Sequence, residues 1–185
     1  MKRIKLRIAM LLCLIATTAI AQSDTTSERR FTLPDHGKLV IHVTRDWKDR
    51  VRQPPDRLPP TITLGPASGK AFQVLLTPTW PATSDRPPQS RDDLRAAVEQ
   101  AARDAKAQAV EKELPIVEFQ GTSGSGFYFS ATDRAPKRGE YKFVTQGAIG
   151  VGELTVSFTI LTNEGQKLVV EQALDALRGA THGGI

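Results

Sequence analysis

The chain has 185 residues, with 25 Lys and Arg against 20 Asp and Glu, three histidines and one cysteine. That length is ample for one buried core. A lone cysteine excludes an internal disulfide and any cysteine-rich zinc site.

The amino terminus carries the strongest signal. Lys2, Arg3, Lys5 and Arg7 precede an apolar run from Ile8 to Ile20, and the small residues Ala19 and Ala21 stand just before Gln22. This pattern predicts a secretory signal peptide over residues 1–21, cleaved to leave Gln22 at the amino terminus. The apolar run is about 13 residues, whereas a membrane-spanning helix needs roughly 20. Leu12, not a small residue, precedes Cys13, which argues against lipidation there. No stable membrane anchor is expected after cleavage.

Loss of the leader changes the charge balance. All four of its charges are basic, so 25 Lys and Arg fall to 21 against an unchanged 20 acids, a net of +1 over 164 residues. A nearly neutral domain has no long-range field for polyanions, which speaks against nucleic acid as a partner. Cys13 leaves with the leader, so the mature protein has no thiol chemistry. Abundant Ala, more Arg than Lys and a single asparagine, Asn163, fit a bacterium with a GC-rich genome. The expected location is then periplasmic or secreted.

Residues 22–29 (QSDTTSER) are polar and aperiodic and read as a flexible lead-in. A single domain over 30–178 should follow, with a flexible tail over 179–185. Arg30 to Leu33 is a short strand candidate, and Lys38 to Thr44 (KLVIHVT) alternates at the period of a strand. Residues 45–60 read as a loop, because the proline pairs at 54, 55 and 59, 60 cannot donate to a ladder. Thr61 to Leu64 and Ala71 to Thr77 resume the strand pattern around the turn GPASGK.

After a second loop over 78–89, Ser90 and Asp93 have the spacing of a capping box. Leu94, Ala97, Val98, Ala101 and Ala105 then form one apolar stripe, predicting a helix that ends before Pro115. Four strand candidates follow: 116–120, 126–132, 141–149 and 154–161, the last two closed as a hairpin by Gly150-Val151-Gly152-Glu153. A final helix is expected from near Asn163, with Gln166 three residues on, burying Val169, Val170, Ala173, Leu174 and Leu177 and stopped by Gly179.

Consecutive strands with short turns predict an antiparallel sheet, and two amphipathic helices should cover it. The expected class is α+β, a largely antiparallel β-sheet between two helices. With RFTLPDHGKLVIHVTRDW near the start and ELTVSFTILTNEGQKLVVEQALDALR at the end, the chain resembles the PsbP-like family, which includes the oxygen-evolving-enhancer subunit of photosystem II and a Ran-binding nucleotide-release factor. The likeness lies in an early strand leading to Trp47 and a late strand reading like I-x-x-S-F, here Leu154 to Phe158 (LTVSF), before a C-terminal helix, and it covers most of 30–177. It implies an α/β/α sandwich and an accessory, non-catalytic role, and it carries over no binding residue.

Motifs of chemistry are mostly refused by spacing. GPASGK has three residues between its glycines and Ala71 after the lysine, so it is not a phosphate-binding loop. In GTSGSG (Gly121 to Gly126), Ser125 takes the place of the last glycine of a nucleophile elbow, and a hairpin turn is the expected use. His36, His42 and His182 lack the companions of a metal site, so neither metal nor cofactor is expected. Trp47 (TRDWKDR) and Trp80 (TPTWPA) lie in the two loops. They are the candidate partner-binding residues, with sealing of the core as the alternative use. The expected function is a binding or accessory protein for a protein or small ligand. The alternatives are an envelope-associated structural protein, or a hydrolase pairing Ser123 or Ser125 with His36 or His42.

Overall fold

The computed structural model describes residues 25–55, 58–81 and 88–184. The expected leader and its expected cleavage residues Ala19, Ala21 and Gln22 lie outside the described residues. Five strands come first: β1 (Thr26–Thr32), β2 (Lys38–Thr44), β3 (Trp47–Arg52), β4 (Thr61–Pro66) and β5 (Gln73–Thr79). Helix α1 (Arg91–Ala105) precedes β6 (Val117–Gln120), β7 (Ser125–Thr132), β8 (Phe143–Val151) and β9 (Leu154–Thr162). Helix α2 (Lys167–Arg178) and the short β10 (Thr181–Gly183) end the described chain.

The fold is α+β, and its strand pairs are antiparallel throughout. One expectation is corrected: there are two sheets. The larger has the order β3-β4-β5-β9-β8-β7-β6, and the smaller is β1-β2-β10. The chain passes from the small sheet to the large one through only Arg45 and Asp46, between β2 and β3. A strand's alternation says which side chains are buried, but not which sheet it joins.

Packing follows from that alternation. β2 buries Leu39, Ile41 and Val43; β5 buries Val74 and Leu76; β9 buries Val156, Phe158 and Ile160. These groups share one core with Ala173, Leu174, Ala176 and Leu177 of α2, so α2 and the small sheet lie on the same side of the large sheet. On the opposite side, Leu94, Val98 and Ala102 of α1 pack with Phe127, Phe129, Ala131 and Ala148 of β7 and β8. The alanines let α1 approach the sheet closely. Its start is held as expected: Ser90 Oγ accepts from the Asp93 amide at 3.2 Å, and the Asp93 carboxylate accepts from the Ser90 amide at 3.2 Å.

Four segments differ from expectation. Residues 26–29 of the presumed lead-in are strand, because β1 pairs with β2 from Thr26↔Thr44 onward. Within the presumed loop 45–60, β3 runs until Arg52; Pro54 ends that strand rather than preventing it. In the presumed tail, β10 pairs with β2, and His182 Nε2 lies 2.8 Å from the His36 carbonyl oxygen. Gly37 permits this close approach: it has φ +67°, and a Cβ there would stand 2.2 Å from the Gly183 oxygen. The last helix begins at Lys167, after a turn in which the Asn163 amide donates to Gln166 Oε1 at 2.7 Å.

Candidate functional site

The two tryptophans do not form a common surface. Trp47, at the start of β3, is only 4% exposed and packs on Phe72 with ring centroids 4.8 Å apart. Its large apolar area seals the core, so the side chain is not offered to a partner. Trp80, after β5, is half-buried and stacks on His36 at 4.3 Å. This stack joins the end of β5 to the β1–β2 turn.

The serines and histidines of the hydrolase alternative are also kept apart by their bonds. Ser123 Oγ donates to the Ala180 carbonyl at 3.2 Å, and Ser125 Oγ donates to Gln120 Oε1 at 3.0 Å. His36 is engaged by Trp80, and His42 Nε2 lies 3.7 Å from the Glu28 carboxylate. Neither serine is bonded to a histidine, which that mechanism requires. The GTSGSG segment is the β6–β7 turn, where the Gly121 amide donates to the Gly124 oxygen at 2.8 Å and the Thr122 amide to the Arg178 oxygen at 2.7 Å. Among the described residues no three His, Cys, Asp or Glu side chains are grouped to hold a metal ion.

Two other regions do offer a surface. The first is half of one face of the large sheet. α1 packs on β7 and β8, and among the described residues no helix lies over the same face of β3, β4, β5 and β9. Register places Arg50, Thr63, Leu75, Thr159 and Gln146 in one row across it. Lys48 and Arg52 flank Arg50 on the same side of β3, since alternate residues share a face. Thr61, Gln73, Thr77 and Ser157 add hydroxyl and amide groups, all at least partly exposed. Among the described residues no acidic side chain stands on this half-face, and Lys48, Arg50 and Arg52 pair with no carboxylate there. On the other side of β3, Asp49 is met by Arg29 Nε at 3.3 Å.

The second region is a groove of about 400 Å³ at the opposite face, where the start of α2 leaves β7 and β8 uncovered. It is lined by Ser130 and Thr132 of β7, Phe143 and Thr145 of β8, Val170 of α2 and Glu111. Ser130 Oγ and Thr145 Oγ1 are bonded at 2.9 Å. Glu111 comes from the turns after α1 and is held by Thr132, whose amide donates to Oε2 at 2.9 Å and whose hydroxyl donates to Oε1 at 2.6 Å. Burial acts to raise the Glu111 pKa, but the two Thr132 bonds, together with its own backbone amide, outweigh it and hold the carboxyl below its ordinary value. Glu111 is therefore ionised at neutral pH.

Neither region was named from the sequence. For the half-face a signal existed: W-K-D-R-V-R places three cations at alternate positions, but reading 45–60 as loop hid it. For the groove there was none, because Glu111, Ser130, Phe143 and Val170 come together only through the sheet register and the placement of α2. Comparison with family models, with curated proteins and with solved structures returns no match.

Proposed function

We propose that this chain is an exported, periplasmic, non-catalytic binding or accessory protein of PsbP-like α/β/α architecture, and that it engages an acidic partner of the cell envelope through the bare half-face of its large sheet. The observation that carries this reading is the set Lys48, Arg50 and Arg52, three cations on one face of an edge strand beside a hydroxyl-rich surface on which no described residue is a carboxylate. At roughly 3.3 Å per residue the three span about 13 Å of strand. With a mature net charge near +1, attraction to a partner is local and fades beyond a Debye length of about 8 Å at physiological salt. Export rests on the leader, and the architectural likeness on the order of strands and helices.

The test combines fractionation with charge reversal. Osmotic shock of cells producing the full chain should release a protein beginning at Gln22; a fatty-acylated Cys13 would overturn the export reading. Purified mature protein should co-sediment with isolated envelopes in low salt, less so as salt rises, and at least about tenfold less as the Lys48→Glu/Arg50→Glu/Arg52→Glu variant. Circular dichroism of that variant guards against misfolding. Equal sedimentation by the folded variant would overturn the assignment of the surface.

A further inference from the structure

We propose that the groove between β7, β8 and the start of α2 is a binding site for a small organic ammonium, its cationic head on Glu111 and its apolar body against Phe143 and Val170. This site lies on the opposite face from the cationic half-face and does not depend on it.

Size comes first. A concavity of about 400 Å³ falls in the range of small-molecule sites, roughly 300–1,000 Å³. Phe143 and Val170 among its lining residues supply apolar surface beside the polar groups of Glu111, Ser130, Thr132 and Thr145.

Charge then selects the ligand. Three acidic or basic side chains line the groove: Glu111, Glu164 and Lys167. Glu164 is neutralised by Lys142, whose Nζ lies 2.7 Å from its Oε1. Lys167 is 92% exposed, with Glu171 at 3.9 Å, and is therefore well screened by solvent. Glu111 has no cationic partner among the described residues. Each of its oxygens takes one hydrogen bond from Thr132, and a carboxylate with about four acceptor sites retains room for more.

A neutral apolar occupant would cover that charge without compensating it, which is costly. An anion would meet it directly. One feature opposes this: α2 begins at the groove with no acidic residue in its first turn, and its positive end favours anions. That end is equivalent to roughly half a charge and is screened where exposed, whereas Glu111 carries a whole charge fixed by two bonds. Of the other polar lining residues, Gln166 spends its side-chain amide on the Asn163 amide and on the Lys70 and Ala71 carbonyls, and Asn163 Oδ1 accepts from the Lys142 amide, while the Ser130 and Thr145 hydroxyls have lone pairs to accept with. An ammonium, with three donors and no acceptor, matches the Glu111 carboxylate and the free lone pairs of these hydroxyls and gains charge-assisted bonds.

The experiment uses three probes of nearly equal shape on the mature protein: 2-phenylethylammonium, neutral 2-phenylethanol and anionic 3-phenylpropionate. Amide chemical shifts are followed by NMR. The ammonium should perturb Glu111, Ser130, Thr132, Phe143 and Val170 and bind at least about tenfold more tightly than the other two. Glu111→Gln keeps acceptor oxygen for Thr132 and should lower ammonium affinity by a similar factor. Val170→Trp, which retains Glu111 but fills the apolar wall, should abolish binding at the groove. Equal or tighter binding of the alcohol or the carboxylate, unchanged affinity in folded Glu111→Gln, shifts mapping elsewhere, or no ammonium binding at all would each overturn the proposal.

Discussion

Glu111 joins two roles that normally compete. By accepting from the Thr132 amide and hydroxyl it fastens the turns after α1 to the end of β7, and the same bonds keep it charged. Because its folded pKa is lowered, its contribution to stability is complete above the ordinary carboxylate range and is lost as pH falls through the lowered value. Thr132→Val removes the hydroxyl bond. Denaturant titrations should show the variant less stable than the parent at about pH 7, with the difference narrowing toward about pH 3 as Glu111 is protonated in both. A difference that stays constant across that range would mean that the hydroxyl acts through packing alone. Residue identity alone did not disclose Glu111: among the chain's acids, it is singled out by what the turn brings it against.

At the scale of elements, legibility follows how local the cause is. The start of α1 was readable because Ser90 and Asp93 lie three residues apart and satisfy each other's backbone groups. Ser90→Ala should cost about 1 kcal/mol, the usual worth of such a cap, measurable in urea unfolding; an unchanged midpoint would show that tertiary packing alone holds the first turn. The β8–β9 hairpin was readable for the same reason: alternation runs through both strands, and Gly152, at φ +62°, supplies the turn. β1, β3 and β10 were harder to see. β1 reads TSERRFT and β3 reads WKDRVR, sequences whose polar residues look like loop until a partner strand is known. β10 is three residues long, and what orders it is β2, well over a hundred positions earlier. Trp47 sits at the head of β3, so its burial was illegible with it.

For the whole molecule, the two sheets have unequal claims on stability. β9 is paired on both sides, with β5 and with β8, and its side chains Val156, Phe158 and Ile160 are in the main core. β10 has one neighbour, β2, over three residue pairs, and lies at the edge of a sheet that meets the large one through α2 and the shared core. Local opening should therefore proceed from the small sheet's edge inward, since regions with few buried contacts open at lower free energy than core strands. Native-state hydrogen exchange should find β10 amides exchanging fastest among the strands, β3 and β6 next as edges of the large sheet, and β5, β8 and β9 slowest. Gly37→Val, which would force a side chain onto a backbone at φ +67° and drive its Cβ into the Gly183 carbonyl oxygen of β10, should release β10 and raise exchange in β2 while β9 amides keep their protection. If β9 lost protection together with β2, the small sheet and the large one would open as one unit. The shared core around Ile41, Leu64 and Leu177 would then couple the layers more strongly than their separate ladders do.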